Sequence, residues 1–124
     1  MVDLIIRVFV GVSGLLLLSI GVQYLLDPVT AGAQFAIGTT GDMGIANLRA
    51  DMVGFFCGSG GLALAAAIRN KTSWLLAPMV LMALAFIGRV ITMGVEGTDP
   101  GATAMIVEAA MVVIFAGAMM RDNS

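Results

Sequence analysis

The sequence predicts an all-α fold, an up-down-up-down bundle of four transmembrane helices in one integral membrane domain (residues 1–124). Of the 124 residues, 60% are hydrophobic and 11% are charged. A soluble domain has roughly 25% charged residues, so this chain has too few to cover a water-exposed surface. The apolar residues form four stretches of about 20 residues, the length that crosses the hydrocarbon core of a bilayer. Short links join the last three stretches, which forces neighbouring helices to run antiparallel.

The first span is predicted at residues 4–26. It ends at Asp27 because Pro28 pushes the residue before it out of helical geometry. The segment differs from a signal peptide, since Asp3 precedes the apolar run, Arg7 alone supplies positive charge and no A-x-A cleavage site follows. We therefore expect a retained first transmembrane helix.

A polar stretch rich in glycine and threonine follows at residues 29–44, with a short interfacial helix expected around Ala31–Ala36. The second, third and fourth spans are predicted at residues 45–68, 73–95 and 102–120. The link before the fourth span ends in Pro-Gly, a pair that marks a turn.

The charges near the span ends predict the orientation of the bundle. Positive residues fall at one end of the predicted bundle, namely Arg7, Arg69, Lys71 and Arg121. Acidic residues mark the other end, namely Asp27, Asp42, Glu96 and Asp99. Positive ends stay in the cytoplasm, so we expect both termini there and the long first loop outside.

Small residues repeat along two of the spans and predict close helix packing. The first span has Gly11, Gly14 and Gly21, and the second has Gly54, Gly58, Gly61 and Ala65. Ridges of small residues let the backbones of membrane helices approach each other. We expect both ridges to lie at helix contacts.

Four ionisable residues occur inside the last three spans. They are Arg49 and Asp51 in the second, Arg89 in the third and Glu108 in the fourth. Their predicted depth is about 6–9 Å from the outer helix ends at 1.5 Å per residue, with Asn47 and Gln23 nearer the surface. A charge at a helix centre costs at least about 2.5 kcal/mol in a bilayer, so these groups should pair, line a wet cavity or serve a function.

Helical geometry limits how these side chains can meet. Asn47 and Asp51 share one face of the second span, whereas Arg49 lies about 200° from Asn47. Arg49 and Asp51 therefore cannot both point at the bundle axis. Arg89 is expected to pair with Glu108 across the link between the third and fourth spans.

Three interpretations of this charged layer remain open. The ions can be structural pairs that fix helix register. They can form the polar floor of a cavity that binds a lipid-like molecule; Arg49 and Arg89 would contact its head group, Glu108 and Asp51 would balance and orient the arginines, and Asn47 and Gln23 would be polar neighbours. Asp51 or Glu108 can also be a general acid that isomerises a lipophilic substrate or opens an epoxide.

The residue types exclude several functions. Histidine is absent and Cys57 is the single cysteine, so no metal site and no cofactor is expected. The net charge of −2 does not suggest a nucleic acid partner. We favour a non-catalytic protein. Its partner would be a membrane lipid or other lipophilic molecule, a larger membrane protein complex in which this protein is an accessory subunit, or a second copy of itself.

The segment from Asn47 to Gly54, with Gly88-Arg89 and Glu108, resembles the DUF4345 family of small bacterial membrane proteins. The resemblance covers nearly the whole chain and implies four spans, arginines in the second and third, an acid in the fourth and a location in the bacterial inner membrane. It implies no activity. The Asn70-Lys71-Thr72 link is also similar to one in a four-span scaffold protein of ergosterol synthesis, which would favour an organiser of membrane enzymes.

Overall fold

In the computed structural model, which describes residues 3–122, all regular structure is helical. The five α-helices are α1 (Leu4–Leu26), α2 (Pro28–Gln34), α3 (Gly41–Arg69), α4 (Leu76–Glu96) and α5 (Ala102–Asp122), and a 3-10 turn (Thr72–Leu75) precedes α4. Four of these elements, all but α2, are long and apolar enough to cross a membrane. The prediction of an all-α protein with four candidate spans is confirmed, which makes the chain a small multi-pass membrane protein.

The four long helices form a ring in chain order. Helix α1 packs along α3 and α4 packs along α5, while α3 also meets α4 and α5 also meets α1. Within residues 3–122, the diagonal pairs α1/α4 and α3/α5 do not come together. This is the up-down-up-down arrangement expected from the short links.

Glycines bring α1 and α3 into backbone contact. A Cβ atom added to Gly14 would lie 2.8 Å from the Gly60 carbonyl oxygen, and one added to Gly60 would lie 2.7 Å from the Gly14 carbonyl oxygen. A Cβ on Gly21 would collide with the sulfur of Cys57. The glycines of the first span therefore lie at a helix contact, as predicted.

The prediction that the glycine ridge of α3 lies at a helix contact is wrong. A Cβ on Gly54, Gly58 or Gly61 would meet no atom within 4 Å. Gly60 makes the contact instead, and Gly58 lies about 200° from it around the helix. The ridge therefore faces away from the bundle. Small residues occur on two sides of α3, and α1 packs against the side that carries Gly60.

Two helix boundaries in the segment between the first and second spans also differ from the prediction. Helix α3 begins at Gly41, four residues before the predicted start, with Gly41 in the left-handed region at φ +66°. Helix α2 begins at Pro28, where the Asp27 carboxylate accepts hydrogen bonds from the Thr30 amide (3.2 Å) and hydroxyl (2.7 Å). These bonds, the one from the hydroxyl first, lower the pKa of Asp27 and cap the short helix.

The positively charged ends meet at one end of the bundle. Arg7 donates from Nε to the Ala67 carbonyl oxygen at 3.0 Å, which joins the start of α1 to the end of α3. Arg121 forms an ion pair with Asp3. The basic groups from the first, middle and last parts of the chain therefore share one end, as the orientation prediction requires.

Candidate ligand cavity

Arg89 and Glu108 form the buried ion pair predicted between the third and fourth spans. Arg89 Nε donates to both carboxylate oxygens of Glu108, at 3.0 and 3.1 Å. Arg89 Nη1 donates to the Pro100 carbonyl oxygen at 2.9 Å. Glu108 is 7% exposed, so its charge is neutralised inside the protein by the guanidinium of the neighbouring helix.

The turn between α4 and α5 positions Arg89 and Glu108 beside each other. Helix α4 ends at Glu96, and its C-cap residue Gly97 is in the left-handed region at φ +65°. The Asp99 carboxylate accepts from the amides of Gly101 (2.9 Å) and Ala102 (3.3 Å), which begins α5. Gly101 has φ +83°, and a Cβ on it would lie 2.8 Å from Arg89 Nη1. Glycine is therefore needed where the turn passes the guanidinium.

A cavity of about 580 Å³ lies beside this pair. Helices α1, α3, α4 and α5 all contribute to its walls, which carry Leu17, Ile20, Phe55, Met82, Ala104 and Val107. Arg89 and Glu108 line it too. A smaller cavity of about 250 Å³ adjoins it and shares Arg89, Glu108 and three phenylalanines. Ligand sites commonly have volumes of about 300–1,000 Å³, with mostly apolar walls and a few polar groups.

Aromatic rings form one side of the smaller cavity. Tyr24, Phe35 and Phe56 have ring centroids 5.9–6.1 Å apart, and Tyr24 is stacked on Phe56 with an interplanar angle of 8°. Phe55 meets Phe56 edge to face at 4.9 Å. Tyr24 is fully buried, and its hydroxyl has no hydrogen-bond partner among residues 3–122. Such a buried hydroxyl costs about 1–3 kcal/mol when unpaired.

These aromatic residues were not among the site residues predicted from the sequence. The chain has six phenylalanines and a single tyrosine, so the adjacent Phe55 and Phe56 in the second span were a usable signal. Phe35 could not be assigned in this way because it follows α2, in the segment between the first and second spans.

The other predicted site residues lie outside both cavities. Arg49 donates from Nε to the Leu25 carbonyl oxygen at 3.1 Å and so ties α3 to the end of α1. Asp51 is exposed and makes no hydrogen bond or ion pair with any described residue. Asn47 and Gln23 are also exposed. The prediction that Arg49 and Asp51 line one ligand site with Arg89 and Glu108 is therefore wrong for these two cavities.

The rotation of α3 explains this outcome. With about 100° per residue, Arg49 lies about 20° from Gly60, on the side that meets α1. Asp51 lies about 180° from Gly60 and points away from the bundle. The early start of α3 matters as well. Arg49 and Asp51 are about 30 and 27 Å from Arg69 along the helix, which places them near the far boundary of a hydrocarbon core about 30 Å thick.

The arrangement is better suited to binding than to proton transfer. Both oxygens of Glu108 already accept from Arg89, a charge-assisted geometry that holds the carboxylate as an acceptor. Asp51 does not line either cavity. Among residues 3–122, no group of three or more His, Cys, Asp or Glu side chains is placed to hold a metal ion.

Comparison with known proteins gives the family. The sequence profile described as "domain of unknown function (DUF4345)" matches residues 5–119. No curated protein and no solved structure matches the chain. Because the match covers both halves of the bundle, including the α4–α5 turn and the Arg89–Glu108 pair, the chain belongs to the DUF4345 family.

Proposed function

We propose that this protein binds a lipid-like small molecule in the cavity between α1, α3, α4 and α5, without transforming it. The observation that carries the proposal is a mostly apolar cavity of about 580 Å³ that the Arg89–Glu108 ion pair lines together with the polar residues Gln34, Asp99 and Thr103. The apolar walls would hold the body of the molecule. Its polar head would contact the guanidinium.

Arg89 retains hydrogen-bonding capacity for such a head. A guanidinium has five N–H donors. The Nε–H group is used by Glu108 and one Nη1–H group by Pro100, which leaves three. The side chain is 33% exposed, so these donors can reach a molecule in the adjoining space.

We further propose a location in the bacterial inner membrane with both termini in the cytoplasm. The clustering of Arg7, Arg121 and the Arg69–Lys71 link at one end supports this orientation under the positive-inside rule. The cavity would then open in the outer leaflet. A cysteine introduced by Asn70→Cys in a Cys57→Ala background should resist an impermeant thiol reagent in intact cells, and labelling there would reverse the orientation.

Mass spectrometry of protein extracted with its native lipids tests the binding function. We expect one lipophilic species to be retained by the natural protein and lost from Ala104→Phe, which would fill the cavity and leaves both residues of the ion pair unchanged. Arg49→Lys is the matched control, because Arg49 lies near the same end of the bundle but outside the cavity. Equal lipid content in all three proteins would contradict the proposal.

A second candidate function is binding of a partner membrane protein on the outward face of α3. The ridge of Gly54, Gly58 and Gly61 favours this function because it faces away from the bundle. A Cβ atom added to any of these glycines would meet no atom within 4 Å. The exposed Asp51 lies at the end of the same face and could pair with a basic residue of the partner helix.

Cross-linking in the membrane tests this second candidate. With Cys57→Ala as background, Gly58→Cys should give a disulfide-linked species, whereas Ser59→Cys, at a fully buried position, should not. A product of twice the chain mass would identify a second copy as the partner. Absence of a product of twice the chain mass from Gly58→Cys would refute a second copy as the partner at this face.

A further inference from the structure

We infer that the ligand of the proposed cavity is a neutral lipid whose head is a flat ring carrying hydrogen-bond-accepting oxygens, of the quinone type. The inference rests on the proposed binding function and adds the chemistry of the head group. Three features of the smaller cavity carry it: the charge balance, the aromatic wall and the unpaired hydroxyl of Tyr24.

The charge balance favours a neutral head. The guanidinium of Arg89 is already neutralised by Glu108, whose two oxygens lie 3.0 and 3.1 Å from Nε. Both residues line the same cavity, so an incoming phosphate or carboxylate would meet the carboxylate of Glu108 as well as the arginine. A neutral oxygen acceptor can use the remaining N–H donors without that repulsion.

The aromatic wall favours a flat ring. Tyr24, Phe35, Phe55 and Phe56 all line the smaller cavity. Tyr24 and Phe56 are nearly parallel, at 8°. Aromatic rings stack on one another or meet edge to face, so a planar head would find suitable surfaces there. The larger cavity, with Leu17, Ile20 and Val107, would take the first part of an apolar tail.

Tyr24 also lines the smaller cavity, and in this proposal its hydroxyl is the second polar contact of the ligand. It is buried and has no partner among residues 3–122, and a ligand oxygen would satisfy it. Tyr24 lies on α1 and Arg89 on α4, and these helices are diagonal in the ring and do not meet. The two donors therefore approach the cavity from opposed helices, which suits a ring with oxygens on opposite sides.

Retention of decylubiquinone by protein-loaded nanodiscs, relative to empty nanodiscs, tests the inference. Tyr24→Phe removes the hydroxyl alone and should weaken retention threefold to tenfold, equivalent to about 0.7–1.4 kcal/mol. Ser59→Ala is the matched control, since the Ser59 hydroxyl is also buried without a partner but lines neither cavity. It should leave retention unchanged. Without the quinone, Tyr24→Phe should unfold no more easily than the natural protein.

The other outcomes separate the head-group inference from the binding function. The natural protein can retain dodecyl phosphate but not decylubiquinone, and Ala104→Phe can abolish that retention. In that case the quinone assignment fails and binding in the cavity stands. If neither probe exceeds empty nanodiscs, both fail. If decylubiquinone is retained equally by Tyr24→Phe and the natural protein, the role given to the hydroxyl is wrong.

Discussion

Replacement of Gly60 by alanine tests the contact that sets the rotation of α3. A Cβ at this position would lie 2.6 Å from the Leu18 amide nitrogen and 2.7 Å from the Gly14 carbonyl oxygen. Ordinary contacts of a Cβ begin at 3.4 Å, so the backbones must separate by up to 0.8 Å, the difference between 3.4 and 2.6 Å. Both neighbouring atoms belong to the backbone and cannot rotate away.

We expect Gly60→Ala to lower the free energy of unfolding by about 1–3 kcal/mol, the usual cost of overpacking. Gly58→Ala is the matched control two residues away, where an added Cβ meets nothing within 4 Å. It should be neutral or stabilising by up to about 1 kcal/mol, because alanine has a higher helix propensity than glycine. The two variants make the same chemical change on opposite sides of one helix.

Unfolding by SDS in mixed micelles, followed by far-UV circular dichroism, measures both variants. Equal stability of Gly60→Ala and Gly58→Ala would refute the assigned rotation of α3, and with it the placement of Arg49 and Asp51. Gly14→Ala combined with Gly60→Ala gives an independent check. One separation of the helices relieves both clashes, so the double variant should lose less than the sum of the single losses.

Three further predictions concern the polar groups. Glu108→Gln should lower the free energy of unfolding by at most about 3–5 kcal/mol, the range for breaking a buried ion pair. The loss is smaller where lipid head groups or water reach the partly exposed Arg89. SDS unfolding measures it. Gly101→Ala should destabilise α5 relative to the same change at Gly97, because both have positive φ but only the Cβ at Gly101 would crowd Arg89; circular dichroism during SDS titration checks the order. The Thr30 hydroxyl lowers the pKa of Asp27 from its ordinary 3.8, so the cap of α2 should be fully present above pH 3.8 and lost as the pH falls through the lowered pKa. Hydrogen exchange of the Thr30 amide should follow this loss. Asp27→Asn should remove the pH dependence.

The sequence was sufficient for the number of spans, their order and the charge at each end of the bundle. It was also sufficient for the Arg89–Glu108 pair, because the short link with Pro100 leaves little freedom in how α4 and α5 align. It was not sufficient for the rotation of α3. In a membrane, apolar residues face lipid as readily as protein, so hydrophobicity does not mark the inner side. Two glycine faces, one through Gly58 and one through Gly60, were then equally good candidates.

Arg49 and Arg89 show why rotation about the helix axis decides which side chains line the cavity. Arg49 and Arg89 are both candidates by residue type and by distance from the helix ends. Arg49 faces α1 and donates to the Leu25 carbonyl oxygen, so it joins two helix ends and takes no part in the cavity. Arg89 faces Glu108 and the space between the helices, where its remaining donors can reach a ligand. Depth alone does not distinguish these residues. The direction in which each side chain leaves its helix gives Arg49 a contact with α1 and places Arg89 beside the cavity of the proposed ligand.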